Sequence, residues 1–247
     1  MDLGLADKAF LVTGGSRGLG FAAARALVAE NAQVVLAARN AQRVEAAAQE
    51  LGCVGVAADL GEPTTAARLV DTAAQAYGRL DGALVSVGGP PAGATLALTD
   101  EQWQGAFDNV FLGALRVCRA VVDALPAEGG ALVLVLSTSA KTPIDGLAAS
   151  NGLRPGLAML AKTMADELGP RNIRVNALLP GRVDTDRVRE LDGPDPAVRA
   201  AREQSIPLRR YGEPEEFGRV AAFLLSPAAS FVSGAMVPVD GGAMRAL

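Results

Sequence analysis

Thr13-Gly14-Gly15-Ser16-Arg17-Gly18-Leu19-Gly20 is the stretch that decides the fold. It follows a short apolar run at 10–12 and precedes a segment, 19–30, whose apolar spacing predicts a helix that closes at Asn31. Glycine at 14, 18 and 20 removes side chains where the backbone must turn tightly and approach an anion, and a helix N-terminus presents free N–H groups to it. The segment predicts a loop that binds a dinucleotide pyrophosphate; the alternative is a tight turn without a ligand.

Short apolar runs alternate with longer amphipathic segments along the rest of the chain. Continuous apolar runs of this length are typical of buried parallel strands, and they occupy residues 10–12, 33–37, 54–58, 83–87, 132–136, 175–179 and 235–239. Pro238 cannot donate to a strand ladder, so the last strand is predicted at a sheet edge. The pattern predicts an α/β fold: a Rossmann-type, doubly wound, seven-stranded parallel sheet with helices on both faces, in a single domain over 1–247.

Composition excludes several classes of protein. The formal net charge is −4 and no basic patch is present, which argues against a nucleic-acid partner. No run approaches the roughly 20 apolar residues of a membrane span, and the N-terminus lacks a signal sequence, so we expect a cytoplasmic protein without a membrane partner. The chain has two cysteines and no histidine. A Ser-His-Asp triad, a histidine base and a histidine-ligated metal are therefore excluded, and no metal site is predicted.

The residues after the second strand indicate which nicotinamide dinucleotide binds. An NAD site places a carboxylate at this strand end to accept hydrogen bonds from the ribose, whereas this chain has Ala38-Arg39. Arg39 would attract a 2′-phosphate, and Arg17 in the glycine-rich loop could add a second guanidinium. The sequence therefore favours NADP(H) over NAD(H), with a solvated surface role for Arg39 as the alternative.

The glycine spacing and the motifs that follow resemble the short-chain dehydrogenase/reductase family over nearly the whole chain, in particular its β-ketoacyl-[acyl-carrier-protein] reductase-like branch. The resemblance implies cofactor contacts for residues in the loops that follow the strands. These are Gly14, Ser16, Arg17, Gly18, Leu19, Gly20, Arg39, Asp59, Leu60, Gly88, Gly89, Pro180, Gly181, Val183 and Thr185. It also implies that Asn109 helps to hold a water at the active site.

The expected catalytic centre departs from the family pattern. In the family a tyrosine donates the proton, a lysine four residues later lowers its pKa, and a serine about thirteen positions earlier binds the substrate oxygen. Ser137 corresponds to that serine, but Ser150 stands at the tyrosine position and Arg154 at the lysine position. A serine hydroxyl is a far poorer acid than a phenol, and arginine stays protonated, so the usual proton relay cannot operate.

Pro155 affects the conformation that the sequence predicts around these two residues. Proline disfavours the α region for Arg154 and is tolerated in a first helical turn. The helix is therefore predicted to begin near 152–155, with Ser150 or Asn151 as its cap. A second departure is Ser86-Val87-Gly88-Gly89 where the family has Asn-Asn-Ala-Gly, and the two glycines still let the backbone approach the cofactor ribose.

Two functions remain open. The first is an NADP(H)-dependent oxidoreductase that moves a hydride to or from a carbonyl or alcohol, including a 3-oxoacyl-type substrate, with Ser137, Ser150 and Arg154 donating hydrogen bonds and a water near Asn109 supplying the proton. The second is a silent nucleotide-binding homologue that acts as a binding or partner module. A flap at about 183–211 is expected to cover the small-molecule substrate. The resemblance implies a homo-oligomer, either a tetramer or a dimer.

Overall fold

The computed structural model describes residues 2–245 and is built on one seven-stranded parallel sheet in the order β3-β2-β1-β4-β5-β6-β7. Within the sheet every neighbouring pair of strands is parallel. The strands are β1 (Ala9–Thr13), β2 (Gln33–Ala38), β3 (Val54–Ala57), β4 (Gly82–Ser86), β5 (Gly130–Val135), β6 (Ile173–Pro180) and β7 (Met236–Val239). The strand order reverses between β1 and β4, and in open sheets of this type such a reversal opens a crevice at the carboxyl ends.

Nine α-helices connect the strands within the described part of the chain. They are α1 (Gly18–Ala29), α2 (Ala41–Leu51), α3 (Thr65–Tyr77), α4 (Asp100–Ala106), α5 (Gly113–Ala124), α6 (Ala148–Leu168), α7 (Asp186–Asp192), α8 (Pro196–Ser205) and α9 (Pro214–Leu225). A π-helical turn, Phe107–Leu112, joins α4 to α5. No helix in the described range is long and apolar enough to cross a membrane.

Alternate residues of each central strand enter two separate cores, one on each face of the sheet. Leu11 of β1 packs with residues of α3, α5 and α6, while Phe10 and Val12 pack with residues of α1, α2 and α9. Strand side chains alternate between the two faces, so a strand that is covered on both sides is apolar at every position. This explains the continuous apolar runs in the sequence and confirms the doubly wound, single-domain fold.

Most element boundaries agree with the sequence to within one or two residues. Helix α1 ends at Ala29. Asn31 adopts the left-handed conformation (φ 61°), as predicted for an asparagine that follows a helix. Strand β7 lies at the sheet edge, beside β6, and it contains Pro238 as expected.

The predicted start of α6 near 152–155 is wrong. The helix begins at Ala148, so Pro155 lies in its interior and Ser150 is not a cap. Contacts made before the helix explain this early start. The backbone N–H of Ala148 bonds to the carbonyl of Gly93, and the side chain of Asn151 both accepts from and donates to the backbone of Ile144. Tertiary contacts thus outweigh the local cost of the proline.

The contact between α1 and α9 depends on a glycine. A β-carbon on Gly218 of α9 would lie 2.4 Å from the carbonyl oxygen of Ala22 in α1. Because this oxygen belongs to the backbone of a helix, it cannot move without shifting α1, which carries the glycine-rich loop.

We expect Gly218→Ala to lower the free energy of unfolding by about 1–3 kcal/mol through overpacking. Gly169→Ala is the matched control, because a β-carbon there meets no atom within 4 Å, and its effect should stay within about 1 kcal/mol. Urea denaturation followed by circular dichroism measures both values. Equal stabilities of the two variants would contradict this account of the packing.

Candidate functional site

One cleft of about 1130 Å³ opens at the carboxyl ends of the strands and extends from β2 to β6. All nineteen residues predicted for the site line it. They are Gly14, Ser16, Arg17, Gly18, Leu19, Gly20, Arg39, Asp59, Leu60, Gly88, Gly89, Asn109, Ser137, Ser150, Arg154, Pro180, Gly181, Val183 and Thr185. The structure therefore gathers the glycine-rich loop and the Ser/Arg centre in one cavity.

The glycine-rich loop is held against β4 at close range. Gly14 has a positive φ of 62°, and a β-carbon on it would lie 2.8 Å from the carbonyl oxygen of Ser86. The hydroxyl of Thr13 donates to that same oxygen and accepts from the N–H of Ser86, at 2.8 and 2.9 Å. Helix α1 begins directly after the loop with no side chain capping it, so N–H groups of its first turn remain available to an anion in the cleft.

The cleft arginines near the ends of β1 and β2 differ in their partners. Arg17 forms an ion pair with Asp186 at 2.9 Å, and Glu190 lies 4.0 Å away. Arg39 has no ion pair among the residues that the structure describes. Arg43, at the start of α2, lines the same wall. Sequence reasoning missed Arg43, although its position four residues after Arg39 was a usable signal.

The Ser/Arg centre lies between the end of β5 and the first turns of α6. The hydroxyl oxygen of Ser137 accepts the N–H of Ser139 at 3.1 Å, and the hydroxyls of Ser139 and Ser150 are 2.9 Å apart. Both of these last two side chains are buried. Ser139 was missed in the sequence, where the Ser-Thr-Ser triplet at 137–139, just after β5, could have indicated it.

Arg154 is a buried cation in the wall of the cleft. Only 6% of the residue is exposed, and one guanidinium nitrogen donates to the carbonyl of Val135 at 2.8 Å. Burial, and secondarily the positive charge of Arg187, lowers the pKa of Arg154 to about 10. The side chain therefore remains charged at neutral pH, where it donates hydrogen bonds but does not exchange its proton.

Asn109 lies in the π-helical turn between α4 and α5, a conformation that is frequent at functional sites. Its side-chain amide donates to the carbonyl of Gly105 at 2.8 Å. Its carbonyl oxygen faces Gly61, where a β-carbon would lie 2.9 Å from it. The side chain is thus fixed at the cleft wall.

Neither tyrosine replaces the missing acid. The hydroxyl of Tyr77 donates to the carbonyl of Val34, and the hydroxyl of Tyr211 donates to the carboxylate of Asp192 at 2.6 Å. Neither side chain lines the cleft. Burial first, and the Asp192 carboxylate second, raises the pKa of Tyr211, so it remains a neutral donor at neutral pH.

The segment 183–211 contains α7 and α8, and only its first part, between residues 183 and 191, lines the cleft. Asp192, at the end of α7, accepts hydrogen bonds from Arg182 and Tyr211. From the same helix, Arg187 donates to the carbonyl of Pro90 at 3.1 Å, on the loop that follows β4. Sequence reasoning did not single out Arg187, because acidic residues balance the many arginines of this segment.

The chain belongs to the short-chain dehydrogenase/reductase family. The family profile described as enoyl-(acyl carrier protein) reductase matches residues 14–244. Human dehydrogenase/reductase SDR family member 4 is 37% identical over 246 residues, which cover 96% of this chain and 88% of that protein. An uncharacterized oxidoreductase of Mycobacterium tuberculosis is 36% identical over 245 residues, covering 96% and 92%.

Two solved structures are informative for the cleft. L-sorbose reductase from Gluconobacter frateurii, complexed with NADPH and L-sorbose, superposes with a TM-score of 0.93 at 29% identity, with each chain covered completely. A short chain oxidoreductase from Pseudomonas aeruginosa PAO1, described as containing an atypical catalytic center, gives a TM-score of 0.91 at 27% identity, covering 99% of this chain and 100% of that one.

Tyr211→Phe tests the anchoring of α7. Removing a hydrogen bond to a charged group exposes the segment to local opening, so amide hydrogen exchange in 186–192 should become about tenfold faster or more. The control is Tyr77→Phe, which also loses one hydroxyl bond but lies beside β2, and it should leave exchange in α7 unchanged. Unchanged exchange in Tyr211→Phe would show that this bond does not hold the helix.

Proposed function

We propose that the protein is an NADP(H)-dependent oxidoreductase that reduces a carbonyl or oxidises the corresponding alcohol, without a tyrosine acid. The observation that carries the proposal is that Ser137, Ser150 and Arg154 line the same cleft as the glycine-rich loop. A module that only bound a nucleotide would need the loop but not this group of hydrogen-bond donors.

The cofactor site fits a phosphorylated dinucleotide. The uncapped start of α1 and the close approach at Gly14 suit the pyrophosphate. Arg39, which has no carboxylate partner within 2–245, suits a 2′-phosphate together with Arg43. Asp59, Leu60, Gly88 and Gly89 would contact the two ribose-linked portions, and Pro180, Gly181, Val183 and Thr185 the nicotinamide. The NADPH complex of L-sorbose reductase supports this assignment.

The reaction needs donors that stabilise the developing alkoxide. When bound, the reduced cofactor supplies a hydride to the carbonyl carbon and is itself oxidised, and one proton from water completes the hydroxyl group. Arg154 and the serine hydroxyls donate to the oxygen as negative charge develops there.

The contact between Ser139 and Ser150 orients one of these donors. When Ser139 donates its proton to Ser150, the proton of Ser150 is free for the substrate oxygen. Because neither serine nor arginine releases a proton readily, a water near Asn109 supplies it. General acid catalysis contributes about 10²–10⁴-fold, so we expect slow turnover or an intrinsically reactive substrate.

The segment 183–211 is proposed as the substrate flap, since it bears Thr185 and bridges the cleft through Arg187. The homo-oligomer expected from the family resemblance stays a prediction. Two large apolar side chains that remain exposed, Met159 on α6 and Phe231 before β7, are consistent with it.

The cofactor assignment is tested by titrating the protein with NADPH and NADH while following nicotinamide fluorescence. We expect micromolar NADPH binding and much weaker NADH binding. Arg39→Ala should weaken NADPH binding by about tenfold or more, the value of one charge-assisted contact, and leave NADH binding unchanged. Arg119→Ala, at an exposed position on α5 outside the cleft, is the control. Failure of both nucleotides to bind at millimolar concentration would refute the oxidoreductase proposal.

Ser150→Ala tests the catalytic centre. With a carbonyl substrate found by screening NADPH oxidation, we expect kcat to fall by about 10²-fold, as for loss of an oxyanion donor, with NADPH affinity unchanged. Thr163→Ala is the control, since that hydroxyl only donates to a backbone carbonyl on the outer side of α6.

A double variant tests whether the cleft is a working catalytic site that lacks only its proton donor. Ser150→Tyr combined with Arg154→Lys restores the family pair, and a rise in kcat with a new pH dependence would show that the cleft lacks only its acid. NADPH binding without turnover of any carbonyl compound, in the wild type and in this double variant, would instead support the nucleotide-binding module.

A further inference from the structure

Two arginines line the cleft without a carboxylate partner among residues 2–245. Arg154 projects from α6, and Arg187 projects from α7. Each donates one hydrogen bond to a backbone carbonyl, Arg154 to Val135 and Arg187 to Pro90. A guanidinium has five N–H donors, so most of the donor capacity of both side chains remains unused.

Several neighbouring arginines do have carboxylate partners. On the cleft wall Arg17 is paired with Asp186. Other arginines in and around the flap also have carboxylate partners, namely Arg182, Arg189, Arg199 and Arg210. Arg187 differs from these five arginines, because its hydrogen-bond partner is a backbone carbonyl.

The acids that line the cleft do not neutralise the pair either. Asp59 accepts the backbone N–H of Gly61, and Glu101 lies at the exposed start of α4. Asp186 and Glu190 are the partners of Arg17. Among the described residues, no acidic side chain that lines the cleft therefore forms an ion pair with either guanidinium.

A buried positive charge without a carboxylate partner is costly to hold, and a second positive charge in the same cleft adds to that cost. Burial first, and the charge of Arg187 second, lowers the pKa of Arg154, which is the direction that such a cost produces. An anion bound between them would remove this cost, and a carboxylate matches the fork of a guanidinium in shape as well as in charge.

We propose that Arg154 and Arg187 bind a carboxylate of the substrate, so that the substrate is a short-chain oxo acid or the corresponding hydroxy acid. This inference rests on the proposed function. Ser150 and Arg154 are four residues apart on α6, so their β-carbons are roughly 5–6 Å apart on one face of the helix. Because both residues lie on one face of α6 and line one cleft, a small molecule can place a carbonyl at Ser150 and a carboxylate at Arg154, as 2-oxo and 3-oxo acids would.

The pyrophosphate of the cofactor is the competing anion. The guanidinium of Arg154 donates to Val135, the last residue of β5. The glycine-rich loop follows β1, and β4 lies between β1 and β5. Two strand spacings amount to roughly 10 Å. Arg154 is thus placed toward the serines and not toward the pyrophosphate loop, which favours the substrate as the source of the anion.

The test measures binding by calorimetry, so that it does not depend on turnover. The probes are oxamate and malonate, each titrated into the full chain with and without saturating NADPH. Acetamide, which has no charge, is the ligand control. We expect millimolar or tighter binding of the carboxylates and none of acetamide.

Variants at Arg187 then locate the site. Arg187→Gln should weaken carboxylate binding by about tenfold or more, and Arg187→Lys should recover part of it because the charge returns. NADPH affinity should change less than about twofold in both. Arg119→Gln, outside the cleft, should bind as the wild type does.

Three results would overturn the inference. The first is no binding of either carboxylate to the wild type, and the second is equal binding to the wild type and Arg187→Gln. The third is a loss of NADPH affinity in Arg187→Gln, which would assign the arginine to a cofactor phosphate. Failure of NADPH to bind the wild type would refute the proposed function separately, and the titrations without cofactor would still report on the carboxylate site.

Discussion

The parallel pairing of β1 with β4 is the constraint on which the rest of the molecule depends. It places the strand before the glycine-rich loop directly beside the strand that ends at Ser86. Thr13 and Ser86 then fasten the two strand ends to each other by a reciprocal pair of hydrogen bonds. The later strands are added on both sides of this pair, so the strand order reverses between β1 and β4 and the crevice opens there. The loops that line the cleft follow strands on either side of this point.

The fold could be predicted because it rests on local patterns, whereas most residues of the cleft could be predicted only because the chain resembles a known family. Continuous apolar runs predict strands that are covered on both faces, and glycines indicate where the backbone closely approaches another group. The start of α6 could not be predicted, because it depends on the bond from Ala148 to Gly93 and on the reach of Asn151 back to Ile144. Such tertiary contacts cannot be predicted from a short stretch of sequence.

The partners of charged residues were equally invisible in the sequence. The sequence assigned Arg17 to a cofactor phosphate and Arg187 to a balanced, solvated set of charges, yet the fold pairs Arg17 with Asp186 and gives Arg187 the carbonyl of Pro90. The sequence gives the net charge of a segment, whereas the electrostatics of a site depend on which charged groups are in contact. The Ser/Arg centre shows the same point, because the role of Ser139 follows only from its distance to Ser150.

Arg187 holds the two sides of the cleft together through a main-chain oxygen, that of Pro90. Every amino acid supplies such an oxygen, so this contact places no demand on the identity of residue 90 and a strict demand on residue 187. Sequence drift in the loop after β4 therefore leaves the bridge intact, while one base change at the arginine codon can remove it. Residue 187 is therefore under a stronger evolutionary restraint than residue 90.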